Sequence, residues 1–158
     1  MTDPRRIRAI ALDFDGVLTD GTIWWGPDGQ EWKRLSFRDI MGVSIGTKAG
    51  LTFAIISGED SPLVDRYAAK MGIRHVFKGI KDKAAAFKAF AFAIGAEPAQ
   101  VAYIGDDVND LAAMQLGGLP AAPLNAHPDV LAVAKFHSKF PGGEGAVREF
   151  IDFLLKDR

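Results

Sequence analysis

Residues 7–21 read Ile7-Arg8-Ala9-Ile10-Ala11-Leu12-Asp13-Phe14-Asp15-Gly16-Val17-Leu18-Thr19-Asp20-Gly21, and the architecture follows from how this stretch is parsed. Its first six residues form a short apolar run bounded by charge, which reads as a buried strand. The run stops at two aspartates and a glycine. Two later runs stop in the same manner. Residues 51–56 end in Ser57-Gly58, and residues 100–104 end in Gly105-Asp106-Asp107-Val108-Asn109-Asp110. Polar groups placed just past apolar strands lie where open α/β sheets bind ligands.

The segments between these runs read mainly as helices. Residues 38–50 end at Gly50, and Ser61-Pro62 opens a helix that Gly72 closes. Residues 81–94 form a long alanine-rich helix with Lys83 at its head. Shorter helices are expected over 111–116 and 128–134, and a terminal one over 145–155. Residues 74–77 and 119–122 are further strands, and 135–138 an edge strand. This alternation predicts an α/β fold, a doubly wound, Rossmann-like parallel sheet with helices on both faces. Residues 22–35 differ. Trp24, Trp25 and Trp32 surround Gly26-Pro27-Asp28-Gly29, the pattern of a protruding β-hairpin. The stretches from Asp15 to Ser57 and from Ser57 to Lys83 are too short for a cap domain, so residues 1–158 are expected to form one domain with a site open to solvent.

Composition narrows the function. The net charge is −1, with no cysteine, 25% charged residues and 48% hydrophobic residues. Nothing here points to nucleic acid or an anionic membrane. Disulfides, thiolate chemistry and zinc–cysteine sites are excluded. The first apolar run is too short for a signal peptide, and no run approaches ~18 apolar residues, the length of a membrane span. A cytoplasmic protein is expected. The three histidines, His75, His127 and His137, are dispersed and suit structural roles, and Phe87, Phe90, Phe92 and Ile94 suit packing.

The clustered residues suit phosphoryl transfer. Asp13 can attack phosphorus and form an aspartyl-phosphate. Asp15 can protonate the leaving oxygen and then activate water. So many carboxylates call for a cation, and Mg²⁺ is the hard, oxygen-seeking choice. Asp106 can supply a second carboxylate to it. Asp107 and Asp110 can orient the cation's waters or hold Lys83. The Ser57 hydroxyl, the Gly58 amide and the Lys83 ammonium can grip phosphoryl oxygens. Each piece alone also occurs in ordinary turns; their joint order carries the reading.

Asp13-Phe14-Asp15-Gly16, Ser57-Gly58, Lys83 and Gly105-Asp106-Asp107 resemble the four motifs of the haloacid dehalogenase-like superfamily. The residues after Asp15, the hairpin, Val101-Ala102-Tyr103-Ile104 and Gly142-Gly143-Glu144-Gly145-Ala146-Val147-Arg148-Glu149 resemble its capless branch. That branch includes phosphatases for 3-deoxy-manno-octulosonate 8-phosphate and for nine-carbon 2-keto-3-deoxy acid 9-phosphates. The resemblance implies a Mg²⁺ site formed by Asp13, the Asp15 backbone carbonyl and Asp106. It also implies a homotetramer whose hairpins gather centrally, with neighbours covering the open sites. Exposed tryptophans would serve that interface, although they could instead cover the chain's own sheet.

The resemblance leaves the substrate open between the two sugar-acid phosphates. Octulosonate enzymes of the branch usually carry Arg after the second-motif glycine, whereas this chain has Glu59, with Lys70 downstream. That pair resembles the nonulosonate enzymes: Glu59 can accept from sugar hydroxyls and Lys70 can attract a carboxylate. Both could also be helix-surface charges. Arg148 is a candidate for substrate binding across an interface. Ile40 stands where the family often has Gly, and the chain stops at Arg158, without the longer tail some members insert into a neighbour's site. Two other readings compete: a phosphoacceptor signalling domain and a catalytically silent tetramerisation module. The order of motifs argues against the first, because the Gly-Asp-Asp segment follows the lysine here. The full set of reactive residues argues against the second.

Overall fold

The fold is described over residues 3–156 in a computed structural model; Arg158 lies outside them. In chain order the elements are β1 (Ala9–Leu12), β2 (Trp24–Trp25), β3 (Glu31–Trp32), α1 (Phe37–Lys48), β4 (Thr52–Ile56), α2 (Pro62–Met71), β5 (His75–Phe77), α3 (Lys83–Ala93), β6 (Val101–Ile104), α4 (Leu111–Leu116), β7 (Leu119–Ala122), α5 (Pro128–Val133), β8 (Phe136–His137) and α6 (Ala146–Leu155). Helix starts carry the residues that orphan amides require. Ser36, Ser61 and Asp82 each accept from a first-turn amide, Pro62 sits in the first turn of α2, and Gly72 ends that helix in the left-handed conformation.

Six strands form one parallel sheet in the order β5-β4-β1-β6-β7-β8. The chain winds outward from β1 through β4 to β5. It then crosses back to β6 and winds the other way. The switch point therefore lies at β1, between β4 and β6, as a doubly wound sheet requires.

Alternation along β1 separates two cores. Ile10 and Leu12 pack on one face with Val43 of α1, Val64 and Tyr67 of α2, and Phe150 and Ile151 of α6. Ala9 and Ala11 face the other side, where their small side chains admit Phe87 and Phe90 of α3, with Met114 and Val130 beyond. One correction concerns α3. Phe87 and Phe90 are buried, but Phe92 is 88% exposed. Five residues past Phe87, at ~100° per residue, the side chain turns far off the buried stripe.

A buried carboxylate ties α1 to α6. Asp39 accepts from the Gly145 amide at 3.1 Å and the Arg148 amide at 2.9 Å, capping α6 from another helix. The hairpin of β2 and β3 pairs antiparallel, Trp24 opposite Trp32. Trp24 and Trp25 are 71% and 75% exposed, so within this chain they do not cover the sheet. Among the described residues no helix is long and apolar enough to cross a membrane.

Candidate active site

Sheet pairing runs one residue beyond the strands and sets the site. The Asp13 amide donates to the Ile104 carbonyl at 3.1 Å, and the Ser57 amide donates to the Phe77 carbonyl at 2.8 Å. Asp13 is thereby fixed beside the end of β6, and Ser57 beside the end of β5. The Asp13 carboxylate is oriented through Oδ1, which accepts from the Phe14 amide at 2.7 Å and lies 3.0 Å from Lys83 Nζ.

Lys83 occupies the first position of α3, where the helix dipole opposes a cation by a few tenths of a kcal/mol or more. Two carboxylates offset this. Lys83 Nζ donates to Asp110 Oδ1 at 2.7 Å and pairs with Asp13. The third ammonium proton is left for another acceptor. Asp110 is saturated: its Oδ1 also accepts from the Tyr103 hydroxyl at 2.7 Å, and its Oδ2 accepts from the amides of Asp106 and Asp107 at 3.0 and 3.3 Å. It braces both the lysine and the loop that carries Asp106.

Gly16 closes the arrangement. It has φ of +86°, and a Cβ there would collide with the Asp106 carboxylate. Only glycine allows the loop after β1 to approach Asp106 in this backbone conformation. The result is a cavity of about 250 Å³ lined by residues that include Asp13, Asp15, Gly58, Glu59, Lys83, Asp106, Asp107 and Asn109.

Charge is concentrated here. Burial and the Asp110 charge push the Asp13 carboxyl well above the usual carboxylate range, against the pull of Lys83. Burial, with Asp110 next, pushes Asp106 to about 6. Burial works to lower the Lys83 ammonium, but Asp13 and Asp110 outweigh it and hold it above its ordinary value. Carboxylate oxygens of Asp13, Asp106 and Asp110 lie within 4.8 Å of one another. Asp106 Oδ1 and Asp15 Oδ2 are buried without a hydrogen-bond partner. Clustered hard oxygens, with Asp106 Oδ1 among them unsatisfied, fit a divalent cation. Because Asp110 is saturated, Asp13 and Asp106 have the freer oxygens for it.

The fold brings Asp13, Asp15, Gly58, Glu59, Lys83, Asp106 and Asp107 to one cavity. Ser57 is buried at the end of β4, where its Oγ accepts from the Glu59 amide at 3.2 Å, leaving its own proton to donate. Asp107 Oδ1 accepts from the Val108 amide at 2.7 Å, starting the turn that delivers Asp110. Two residues are not brought to the cavity. Lys70 lies in the last turn of α2, about 12 Å along the helix axis from the end nearest Glu59. Arg148 pairs with Asp152 at 2.8 Å along α6, its side chain lying over Gly42 of α1.

Sequence reasoning missed Lys33, whose Nζ lies 2.8 Å from Asp15 Oδ1. It also assigned no role to Tyr103 or Asn109. The histidines are structural: the His75 ring packs on Phe90 with centroids 5.1 Å apart, His127 Nδ1 accepts from the Asp129 amide, and His137 Nε2 lies 3.1 Å from the Ala134 carbonyl.

Comparison with known proteins agrees with this geometry. A family model described as haloacid dehalogenase-like hydrolase matches residues 44–118. The chain is 39% identical to the 3-deoxy-D-manno-octulosonate 8-phosphate phosphatase of Salmonella typhi, over 98% of this chain and 82% of that protein. The Moraxella catarrhalis phosphatase of the same name, solved in complex with a magnesium ion, a phosphate ion and a KDO molecule, superposes with a TM-score of 0.94 at 36% identity, covering 97% of this chain and 88% of that one. A cobalt-bound deoxy-D-mannose-octulosonate 8-phosphate phosphatase from Haemophilus influenzae gives 0.94 at 34%, covering 97% and 90%.

Proposed function

The chain belongs to the haloacid dehalogenase-like hydrolases and is a phosphoric monoester hydrolase, and from that premise we propose that it removes phosphate from a 2-keto-3-deoxy sugar acid, 3-deoxy-D-manno-octulosonate 8-phosphate first among the candidates. The observation that carries the proposal is the convergence of Asp13, Asp15, Lys83 and Asp106 on one cavity at the sheet's switch point. The relatives' names supply the substrate class.

In this reading Asp13 attacks phosphorus, a phosphorus–oxygen bond forms on its carboxylate, and the bond to the sugar oxygen breaks. Asp15 gives its proton to the departing oxygen. As a carboxylate it then takes a proton from the water that attacks the aspartyl-phosphate, and inorganic phosphate leaves with Asp13 restored. Lys83, held by Asp13 and Asp110, offers its remaining proton to a phosphoryl oxygen, and Ser57 and the Gly58 amide offer theirs. Asp13, Asp106 and the Asp15 backbone carbonyl would hold Mg²⁺, which when bound neutralises phosphoryl charge and orients the group for in-line attack. Asp107 and Asp110 support that set from the loop.

Glu59 supports a second substrate reading, because it lines the cavity where an acidic side chain favours sugar hydroxyls over a carboxylate. That suits a nine-carbon acid 9-phosphate. In one chain Lys70 and Arg148 stand away from the cavity. A role for either in substrate binding therefore needs a second subunit, which fits a homotetramer with hairpins at its centre. The exposed tryptophans of the hairpin favour such an assembly.

The test is phosphate release with Mg²⁺ from the eight-carbon 8-phosphate, nine-carbon 9-phosphates and simple sugar phosphates. Preference for the eight-carbon acid supports the first reading, and preference for a nine-carbon acid supports Glu59 as a selector. Turnover of simple sugar phosphates at least as fast as either acid would overturn the sugar-acid assignment.

A further inference from the structure

The hairpin does more than display tryptophans, because its second strand sends a lysine back into the site. Glu31 and Lys33 flank Trp32 and, by alternation, share the face opposite the indole. Trp32 is 51% exposed, while the Lys33 side chain is only 4% exposed. Lys33 Nζ lies 2.8 Å from Asp15 Oδ1 and 3.1 Å from Glu31 Oε1, and 5.8 Å from the Phe14 ring centroid. Glu31 is held in turn. Its Oε1 accepts from the Ser61 hydroxyl at 3.2 Å and its Oε2 from the Trp25 indole at 3.4 Å. Ser61 also caps α2. A line of contacts thus runs from the start of α2 and the hairpin, through Glu31 and Lys33, to Asp15.

A surface ion pair of this kind would contribute little. Here the ammonium has lost nearly all its water, so it needs both acceptors, the Glu31 carboxylate for charge and Asp15 Oδ1, which can accept whether or not Oδ2 carries a proton. Its grip engages Asp15 Oδ1 alone. Asp15 Oδ2 is buried and has no protein partner, and the residue lines the cavity. Of its two oxygens, Oδ2 is therefore the one left for proton transfer.

We propose that Lys33 is a positioning residue. It clamps Asp15 through Oδ1 so that Oδ2 is presented to the leaving oxygen of the substrate, and Glu31 fixes Lys33 in that role. This rests on the reading of Asp15 as the acid that protonates the leaving group.

The test uses leaving groups that differ in their need for a proton. An alkyl sugar-acid phosphate needs protonation as the bond breaks; p-nitrophenyl phosphate does not. The quantity to compare is kcat/KM, because it covers steps only up to departure of the leaving group. A positioned general acid contributes roughly 10²–10⁴-fold, and loss of its clamp forfeits part of that. Lys33→Met is expected to lower kcat/KM for the sugar-acid phosphate by about 10–100-fold, mainly through kcat, and that for the aryl ester by less than about 3-fold. Lys33→Arg should recover much of the difference. Glu31→Gln should show the same pattern more weakly, and it serves if Lys33→Met fails to fold. Equal losses on both esters, or a loss confined to KM, would overturn the proposal and make Lys33 a structural or substrate-attracting cation.

Asp15→Asn separates the two levels of the argument. If it shows the leaving-group difference and the Lys33 and Glu31 variants do not, the positioning role alone fails. If Asp15→Asn also loses equally on both esters, the assignment of Asp15 as the acid fails, and the proposal falls with it.

Discussion

Replacing Asp106 by Asn should stabilise the cation-free protein while removing its ability to use a cation. The reason is the charge crowded at the end of β6. Burial and the Asp110 charge raise the Asp106 carboxyl from an ordinary 3.8 to about 6. At ~1.36 kcal/mol per pH unit, ionising it within the fold costs about 3 kcal/mol relative to the unfolded chain. Because the folded-state value is the higher one, the penalty is complete above pH 6, shrinks as the pH falls, and vanishes below 4. Asn keeps the shape and removes the charge. Asp106 Oδ1 has no partner to lose, and the amide oxygen of Asn can still accept the side-chain hydrogen bond shared with Asp13. The expected gain at pH 7.5 in chelator is about 1–3 kcal/mol, or about 2–10 °C in Tm for a chain of this size. By pH 4.5 it falls to about a third of that. Saturating Mg²⁺ should invert the order, since binding to the folded state alone adds about 4.1 kcal/mol at a thousandfold excess over Kd, and the variant lacks a ligand. Urea unfolding of both proteins, with EDTA and with Mg²⁺ at the two pH values, reads all of this. A variant less stable than wild type in EDTA at pH 7.5, or one whose advantage persists undiminished at pH 4.5, would refute the electrostatic account of the cluster.

Other consequences can be checked separately. Mg²⁺ affinity measured by calorimetry should weaken as the pH falls through about 6, with proton release on binding, because protons compete for Asp106; EDTA should abolish turnover and added Mg²⁺ restore it. Asp39→Ala removes the carboxylate that caps α6 at Gly145 and Arg148, and should cost about 1–2 kcal/mol in denaturant unfolding with turnover per folded molecule retained. Replacing Trp24 and Trp25 together by Ser should reduce the sedimenting mass if the hairpin joins subunits, with the secondary structure seen by circular dichroism unchanged.

The strands that build the site were legible because each is a short apolar run cut off by a residue with a chemical task. Asp13, Ser57 and Asp106 all follow strands whose inward faces must be apolar, so the change to polar residues marks the sheet's rim. Lys83 was legible only in company, since alone it reads as a solvated helix residue and its place in order with Asp13, Ser57 and Gly105-Asp106-Asp107 is what gives it a role. The clamp from Lys33 was not legible by the same route. Strands β2 and β3 have two residues each, too few for a periodicity to stand out beside three tryptophans. The alternation of Glu31, Trp32 and Lys33 was nevertheless a signal, since it sets two opposite charges on one face. Tyr103 was hidden inside an apolar run, where nothing reveals that its hydroxyl meets Asp110. The distance of Lys70 from the cavity follows from the course of α2, whose start lies at the rim and whose axis leads away from it. Sequence spacing does not show that direction. Phe92 was misjudged by grouping aromatics instead of following the helical period.

The measurement that tests the central claim most directly is the rate of phosphate release, with Mg²⁺, by wild type and by Asp13→Asn on the best sugar-acid phosphate. Unfolding and circular dichroism should first establish that the variant is folded. The account requires a loss of at least about 10³-fold, since the amide cannot form the phosphoryl bond on which both half-reactions depend. Turnover within about tenfold of wild type by the folded variant would contradict it, and with it the assignment of Asp13 as the nucleophile.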